Sequence, residues 1–292
     1  MNETTDTTIS SSADAPVATR DESLGEITRK TFWEASEPHF LGGGFILLAL
    51  AVWEVVPYFV TFSRGMSLFF TTPIAVFTRL YLLMADGILW PALQFSASAF
   101  GVGLALAIVV ALPLGVVLGR STILNAMFDP FITAINATPR LVFLPIILIW
   151  MGIGMWPVVT IVFIGAVFPL LINTYAGVRN ADRVLINVVR SFGATEWEVN
   201  KLVVLPNSMP FIIAGLRLAI GRAILGIVVA EFFGGSSEGV GVIMVDAAGK
   251  FQVDVVFAGL IIFMSLSLVM TAIVKVLENR LSRWRPQIVK TF

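Results

Sequence analysis

Four ionisable side chains stand inside otherwise apolar runs of this 292-residue chain: Glu54, Arg217, Arg222 and Glu231. A charge at membrane depth costs from about 2.5 to above 10 kcal/mol unless it is paired or faces water. Two chemistries can meet that cost. In one, Arg222 pairs with Glu54 or Glu231 and the ions are structural. In the other, Arg222 faces a wet cavity, where its planar fork can hold a nitrate-, sulfonate- or carboxylate-bearing anion by bidentate hydrogen bonds. Neither is catalysis. No Ser-His-Asp set, paired carboxylates or His/Glu zinc motif can be assembled at one depth, so no enzyme activity and no metal site are expected. There are no cysteines and one histidine, His39, which reads as an interfacial residue ahead of the first span. Disulfides and thiolate metal sites are therefore excluded. The phosphate-cradling G-x4-G-K-[ST] pattern is missing too, so the chain cannot hold nucleotide phosphates by itself.

A second cluster is polar and lies between apolar runs: residues 187–206, from Asn187 through Gly193-Ala194-Thr195-Glu196-Trp197-Glu198 to Leu205-Pro206. Thr195-x-x-Glu198 is a capping box, which predicts a helix beginning at Glu196. Pro206 is expected to stop it, because the residue before a proline is pushed out of the helical region. Gly193 falls at the bend after an earlier helix over about 180–191, where a backbone of positive φ suits glycine. Glu196 and Glu198 are first-turn carboxylates that favour a helix N-terminus. Val199, Leu202 and Val203 give the short helix one apolar stripe. A helix of about nine residues does not hold in water alone, so this one needs a surface to lie on. That surface is either its own membrane domain or another protein.

The elements that carry these clusters follow from composition. Hydrophobic residues make up 57% of the chain and charged residues 13%, with mean hydropathy +0.91. Apolar runs of about 20 residues, enough to cross a hydrocarbon core of about 30 Å, make it an integral membrane protein. Residues 1–30, rich in Thr, Ser, Asp and Ala, read as a disordered tail and not as a signal peptide. Residues 31–292 read as an all-α transmembrane domain of about six spans, near 43–62, 96–119, 128–153, 156–177, 209–232 and 254–278. Thr72-Pro73 opens a short surface helix over 72–85. The run Gly234 to Gly241 reads as a flexible exterior loop ahead of a re-entrant apolar stretch. With the N-terminus in the cytoplasm, thirteen of the 19 Lys and Arg fall on inner segments, Arg140 among them at the inner end of the third span. Three fall outside (Arg64, Arg79, Lys250) and three within spans (Arg217, Arg222, Lys275). That bias places both termini and the loop 178–208 on the cytoplasmic side. It is a topology signal and not a nucleic-acid surface.

The island resembles the "EAA" loop of ABC-importer permeases, E-A-A-x3-G-x9-I-x-L-P. Gly193, Ala194 and Val203-x-Leu205-Pro206 match, while Asn187-Val188-Val189 stand where that pattern has E-A-A. Further stretches are similar to the nitrate/sulfonate/taurine/bicarbonate branch of that family. They include Ala-Thr-Pro-Arg-Leu-Val-Phe-Leu-Pro (137–145), Trp-Met-Gly-Ile-Gly (150–154), Gly-Leu-Arg-Leu-Ala-Ile-Gly-Arg-Ala (215–223) and Val-Val-Ala-Glu (228–231). The resemblance implies a type I importer permease in a bacterial inner membrane, passing a small anion from an external binding protein to the cytoplasm. It implies a pair of these chains on two cytoplasmic ATPase subunits, which bind the ATP and magnesium, so that no cofactor is expected in this chain. It implies docking through Asn187, Gly193, Ala194, Thr195, Glu196, Glu198, Leu205 and Pro206. An ATP-independent six-span channel or secondary transporter is the alternative, and it would leave the island without a partner. Two-fold pairing would put the small residues Ala214, Gly215, Ala219, Gly221, Ala223 and Gly226 near the axis.

Overall fold

The structure, a computed structural model, describes residues 32–59 and 69–281. The expected tail 1–30, Arg64, the end of the run 43–62, the residues after 281 and the side chain of His39 lie outside that description. All regular elements among the described residues are helical. Among the described residues, those up to Val52 belong to one unit and those from Trp53 onward to another.

Helix α1 runs Phe32–Phe59, and its apolar part, Leu41–Pro57, is shorter than a full crossing. Helix α2, Pro73–Ala85, starts as its sequence predicts: the Thr72 hydroxyl accepts from the Ala75 N–H, and Pro73 occupies the first turn, where it withholds no needed donor. Four helices are long and apolar enough to cross a membrane. They are α3 (Leu89–Arg120), α6 (Met155–Arg179), α9 (Leu205–Phe232, continuous with the island) and α11 (Val253–Leu281). A fifth crossing arises if α4 (Thr122–Ala137) and the segment Arg140–Met151, which ends in α5 (Leu144–Met151), count as one. They meet at 95°. The single third span expected over 128–153 is thus broken. Pro139 holds Thr138 in an extended conformation, φ −70° and ψ 130°, and the helix ends there.

Helix α6 is the centre, packed between α3 on one side and α9 on the other. Lipid tails are as apolar as leucine, so close van der Waals fit and not expulsion from water must hold these helices together. Glycines supply the fit. A Cβ on Gly103 of α3 would fall 2.6 Å from Val162 Cγ1, and one on Gly115 would fall 2.5 Å from Thr174 Cβ. On the other side, a Cβ on Gly215 of α9 would fall 2.6 Å from Asn173 Cβ. Thr174 is fully buried, and its hydroxyl is satisfied by the Leu170 carbonyl one turn back.

This packing corrects the placement of the small residues of α9. Gly215, Ala219, Ala223 and Gly226 are buried within the chain, and Gly226 lies against the backbone of Ile161 and Val162. Only Ala214 and Gly221 of that set stay exposed. The remaining elements are short: α7 (Arg183–Ser191), α8 (Glu196–Val199) and α10 (Val240–Gly249). At 10 residues, α10 is about 15 Å long and cannot cross the bilayer.

Candidate coupling surface and intramembrane charges

The island folds on local signals. Asp182 caps α7 by accepting from the Val184 N–H at 2.7 Å. Gly193 then turns the chain with φ 83°, a left-handed conformation that a side chain would strain. The capping box forms on both sides. The Thr195 N–H donates to Glu198 Oε2 at 2.7 Å, and the Glu198 N–H donates to Thr195 Oγ1 at 3.4 Å. The bonds from Thr195 hold the Glu198 carboxyl below the usual carboxylate range, at a position ahead of the apolar run. Asn187 is exposed on α7 and takes no part beyond accepting from the Ser191 hydroxyl.

Pro206 does not stop the helix. The chain passes from α8 through a π turn, Asn200–Val204, straight into α9. The Leu205 N–H reaches Asn200 O, five residues back. This wider turn gives room to the proline, which then sits in the first turn of α9. The island helix is therefore the inner extension of a transmembrane helix.

Two arginines that the sequence reading did not single out fix the island. Arg190 of α7 holds Glu196 Oε1 through Nε at 2.9 Å and Nη2 at 2.7 Å, and Arg120, the last residue of α3, bonds Oε2 of the same carboxylate. Arg190 is only six residues from its partner and at readable spacing. Arg120 is 76 residues away and gives no local signal. Beneath them Val178, Ala181, Val199 and Val204 are buried together, with Ile186, Val189 and Ala194 packed against them. The expected stripe divides: Val199 and Val203 are buried, whereas Leu202 is 62% exposed. Phe192 and Trp197, flanking Gly193, are 86% and 73% exposed. Leu202 also lines a groove of about 310 Å³ with Leu185, Val188, Val189, Val203, Pro206 and Asn207.

The charges in the spans fall into separate environments, and Arg222 pairs with neither expected acid. Glu54 accepts from the Ile74 N–H at 3.1 Å and so caps α2. Arg217 pairs with Glu278 of α11 at 2.7 Å. Glu231 is 2% exposed. Its Oε1 accepts from Ser96 Oγ of α3 and its Oε2 from the Gly241 N–H, both at 2.6 Å, while Ser96 Oγ accepts from the Val240 N–H at 3.0 Å. Glu231 thus caps the buried N-terminus of α10.

The run Gly234 to Gly241 is not a slack loop. Gly235 N–H donates to Ala230 O at 2.7 Å, and Gly235 O accepts from the Gly154 N–H at 3.0 Å. Gly239 has φ 125°, and a Cβ there would fall 2.5 Å from the Glu231 carboxyl. These glycines are spaced to wrap a carboxylate whose partner Ser96 lies 135 residues away.

Arg140 is likewise not at an inner end. A Cβ on Gly165, near the middle of the 25-residue α6, would lie 3.4 Å from Arg140 Nε and 3.0 Å from the Arg222 carbonyl. The charges of Arg140 and Arg222 are near enough to repel each other.

The site thus combines a helix continuous with a membrane span, a glycine-built helix sandwich and an exposed apolar edge. Residues 111–283 match the model of the binding-protein-dependent transport system inner membrane component. The chain belongs to this family. This permease is 32% identical to the putative aliphatic sulfonates transport permease SsuC of Bacillus subtilis, over 81% of its own length and 84% of the relative's. It is 29% identical to the taurine transport system permease TauC of Escherichia coli, covering 88% and 94%. Its fold matches a chain of the methionine ABC transporter MetNI in an inward-facing form, with TM-score 0.59 at 16% identity over 66% of this permease and 95% of that chain. It is thus an ABC-transporter permease with the type I importer architecture, and a multi-pass membrane protein. The matched segment holds the island, Arg222 and Glu231. Glu54 and Ser96 lie before it.

Proposed function

We propose that this permease imports a small oxyanion of the sulfonate class as one of a pair, driven by two cytoplasmic ATPase subunits that bind the ATP and magnesium and dock on residues 187–206. An external binding protein delivers the cargo, and the membrane is a bacterial inner membrane with both termini on the cytoplasmic side. The substrate class is that of the sulfonate and taurine permeases to which the chain is similar. The orientation follows from the distribution of Lys and Arg.

One observation carries the docking. Phe192, Trp197 and Leu202 are exposed on a segment whose backbone is otherwise pinned by a capping box, a buried cluster and two arginines. Rigid exposed aromatics and an apolar groove are what a partner's surface can use at small entropic cost. Arg120 ties the island to α3 and the π turn joins it to α9, so force applied at Gly193 passes into two spans. A channel that works without ATP has no use for such an edge.

Gly193→Trp tests the docking. A Cβ at Gly193 meets nothing within 4 Å, so bulk there disturbs no packing inside the chain. The variant should insert at wild-type abundance and lose ATPase copurification at least about tenfold, equal to about 1.4 kcal/mol of binding. Normal copurification and uptake would reject the assignment.

A further inference from the structure

We infer that Arg140, whose Nε lies beside Gly165, and Arg222, whose backbone carbonyl lies beside the same glycine, form an oxyanion-binding site at the middle of the membrane, and that the anion it takes is the transported sulfonate. The inference rests on the importer reading above and deepens it. Neither arginine side chain has a hydrogen bond or an ion pair to any described residue, whereas Arg217, five residues earlier on the same helix as Arg222, pairs with Glu278 at 2.7 Å. Two like charges on neighbouring segments, with no partner among the described residues, are costly in lipid at this depth, so they need water, an anion, or both. Arg222 is exposed on α9, on the face that also exposes Leu218, Gly221 and Leu225, so the site opens away from the packed core.

The surroundings suit an anion and not a carboxylate of the chain. Gly165 leaves the space over α6 that Arg140 Nε and the Arg222 carbonyl both approach, where a Cβ would fall 3.4 Å from the first and 3.0 Å from the second. Arg140 follows the 95° break after Thr138-Pro139, so a chain break and not a helix end delivers it to this depth. Two planar forks match the three oxygens of a sulfonate, giving bidentate bonds from each side. A lipid headgroup has the same chemistry but would have to sink about 20 Å, the rise of the 13 residues from 209 to 222.

The test uses the assembled transporter with its ATPase subunits and binding protein, in phosphatidylcholine liposomes, with ethanesulfonate as probe. ATP-driven uptake is measured beside the thermal stabilisation of the detergent-purified complex by ethanesulfonate over chloride. Arg140→Gln and Arg222→Gln should each lower uptake roughly tenfold to a hundredfold, the worth of a bidentate charge-assisted bond, and abolish the stabilisation. Arg222→Lys should fall between, keeping charge without the fork. Gly165→Ala, which retains both charges but crowds Arg140, should lower uptake as well.

Variants that match wild type within about twofold, on a scale where a tenfold change is 1.4 kcal/mol, would overturn the site. Failure of both glutamine and lysine forms to assemble would overturn it in favour of a structural role. A loss seen only after adding phosphatidylglycerol would assign the anion to a headgroup and also overturn it. A wild type stabilised by ethanesulfonate yet unable to import it would reject the importer reading and leave the site standing.

Discussion

The island 187–206 and the clasp around Glu231 each solve the same problem, the unsatisfied N–H groups of a helix start, with opposite means. Inside, Thr195 and Glu198 cap α8 across three residues, and every participant is exposed. Outside, Glu231 and Ser96 cap α10 with both side chains buried, across 10 residues from Glu231 to Gly241 and 135 from Ser96 to Glu231. The exposed arrangement is cheap to break, because water replaces what is lost. In the buried one nothing does, so each lost bond leaves an orphan. The difference fits the recognition role proposed for the island, and it makes the clasp a structural tie at the far end of α9.

That contrast can be broken by four changes of falling size. Gly239→Ala should be the most damaging. It combines a φ of 125° with a methyl placed 2.5 Å from the Glu231 carboxyl, for a loss of about 2–5 kcal/mol in a melting or denaturant experiment in micelles. A wild-type melting temperature would show that the clasp is dispensable. Ser96→Ala comes next, since it strips Glu231 Oε1 and the Val240 N–H of their shared partner. A loss of about 1–3 kcal/mol is expected.

Thr195→Ala removes an exposed cap and should cost about 1 kcal/mol at most. Should it prove as severe as Ser96→Ala, exposure is not what separates the two sites. The smallest effect is that of pH on the island. Glu198 titrates below the usual range because Thr195 bonds its charged form, so its support for the helix is full above the ordinary carboxylate pKa of about 4.3 and fades as pH falls through the lower folded value. A fluorine-labelled Trp197 should report loosening of α8 only in that acid range. Glu198→Gln should remove the transition, and a signal that moves equally in that variant would count against the assignment.

The same contrast explains what was legible in the sequence. The membrane class, the helices around the long apolar runs, the Gly193 turn and the capping box all rest on neighbours within a few positions. Arg120, Ser96 and the Arg140–Arg222 approach depend on contacts between distant segments, for which hydropathy carries no signal. Gly234 to Gly241 misled for a related reason: glycine spacing that suits a flexible loop also suits a tight wrap, and only the buried carboxylate at Glu231 distinguishes them. Pro206 misled because a stop and a first-turn position differ only in whether the preceding turn widens, as Asn200–Val204 does. The small residues of α9 were read as a surface between chains, yet four of the six are buried within this one.

Helix α9 adds a mechanical consequence. It is one run of 28 residues, about 42 Å end to end. The docking segment continues from its first residue, and Glu231 is the last but one. The island and the clasp are therefore loads on the two ends of a single strut, in series, with Arg222 between them. If a partner docks on the island as proposed, an axial push at Gly193 would be felt at Ser96 and Gly241 unless the strut bends. A clasp that yields would let the strut travel, and one that holds would turn the push into rotation or bowing at the level of the arginines.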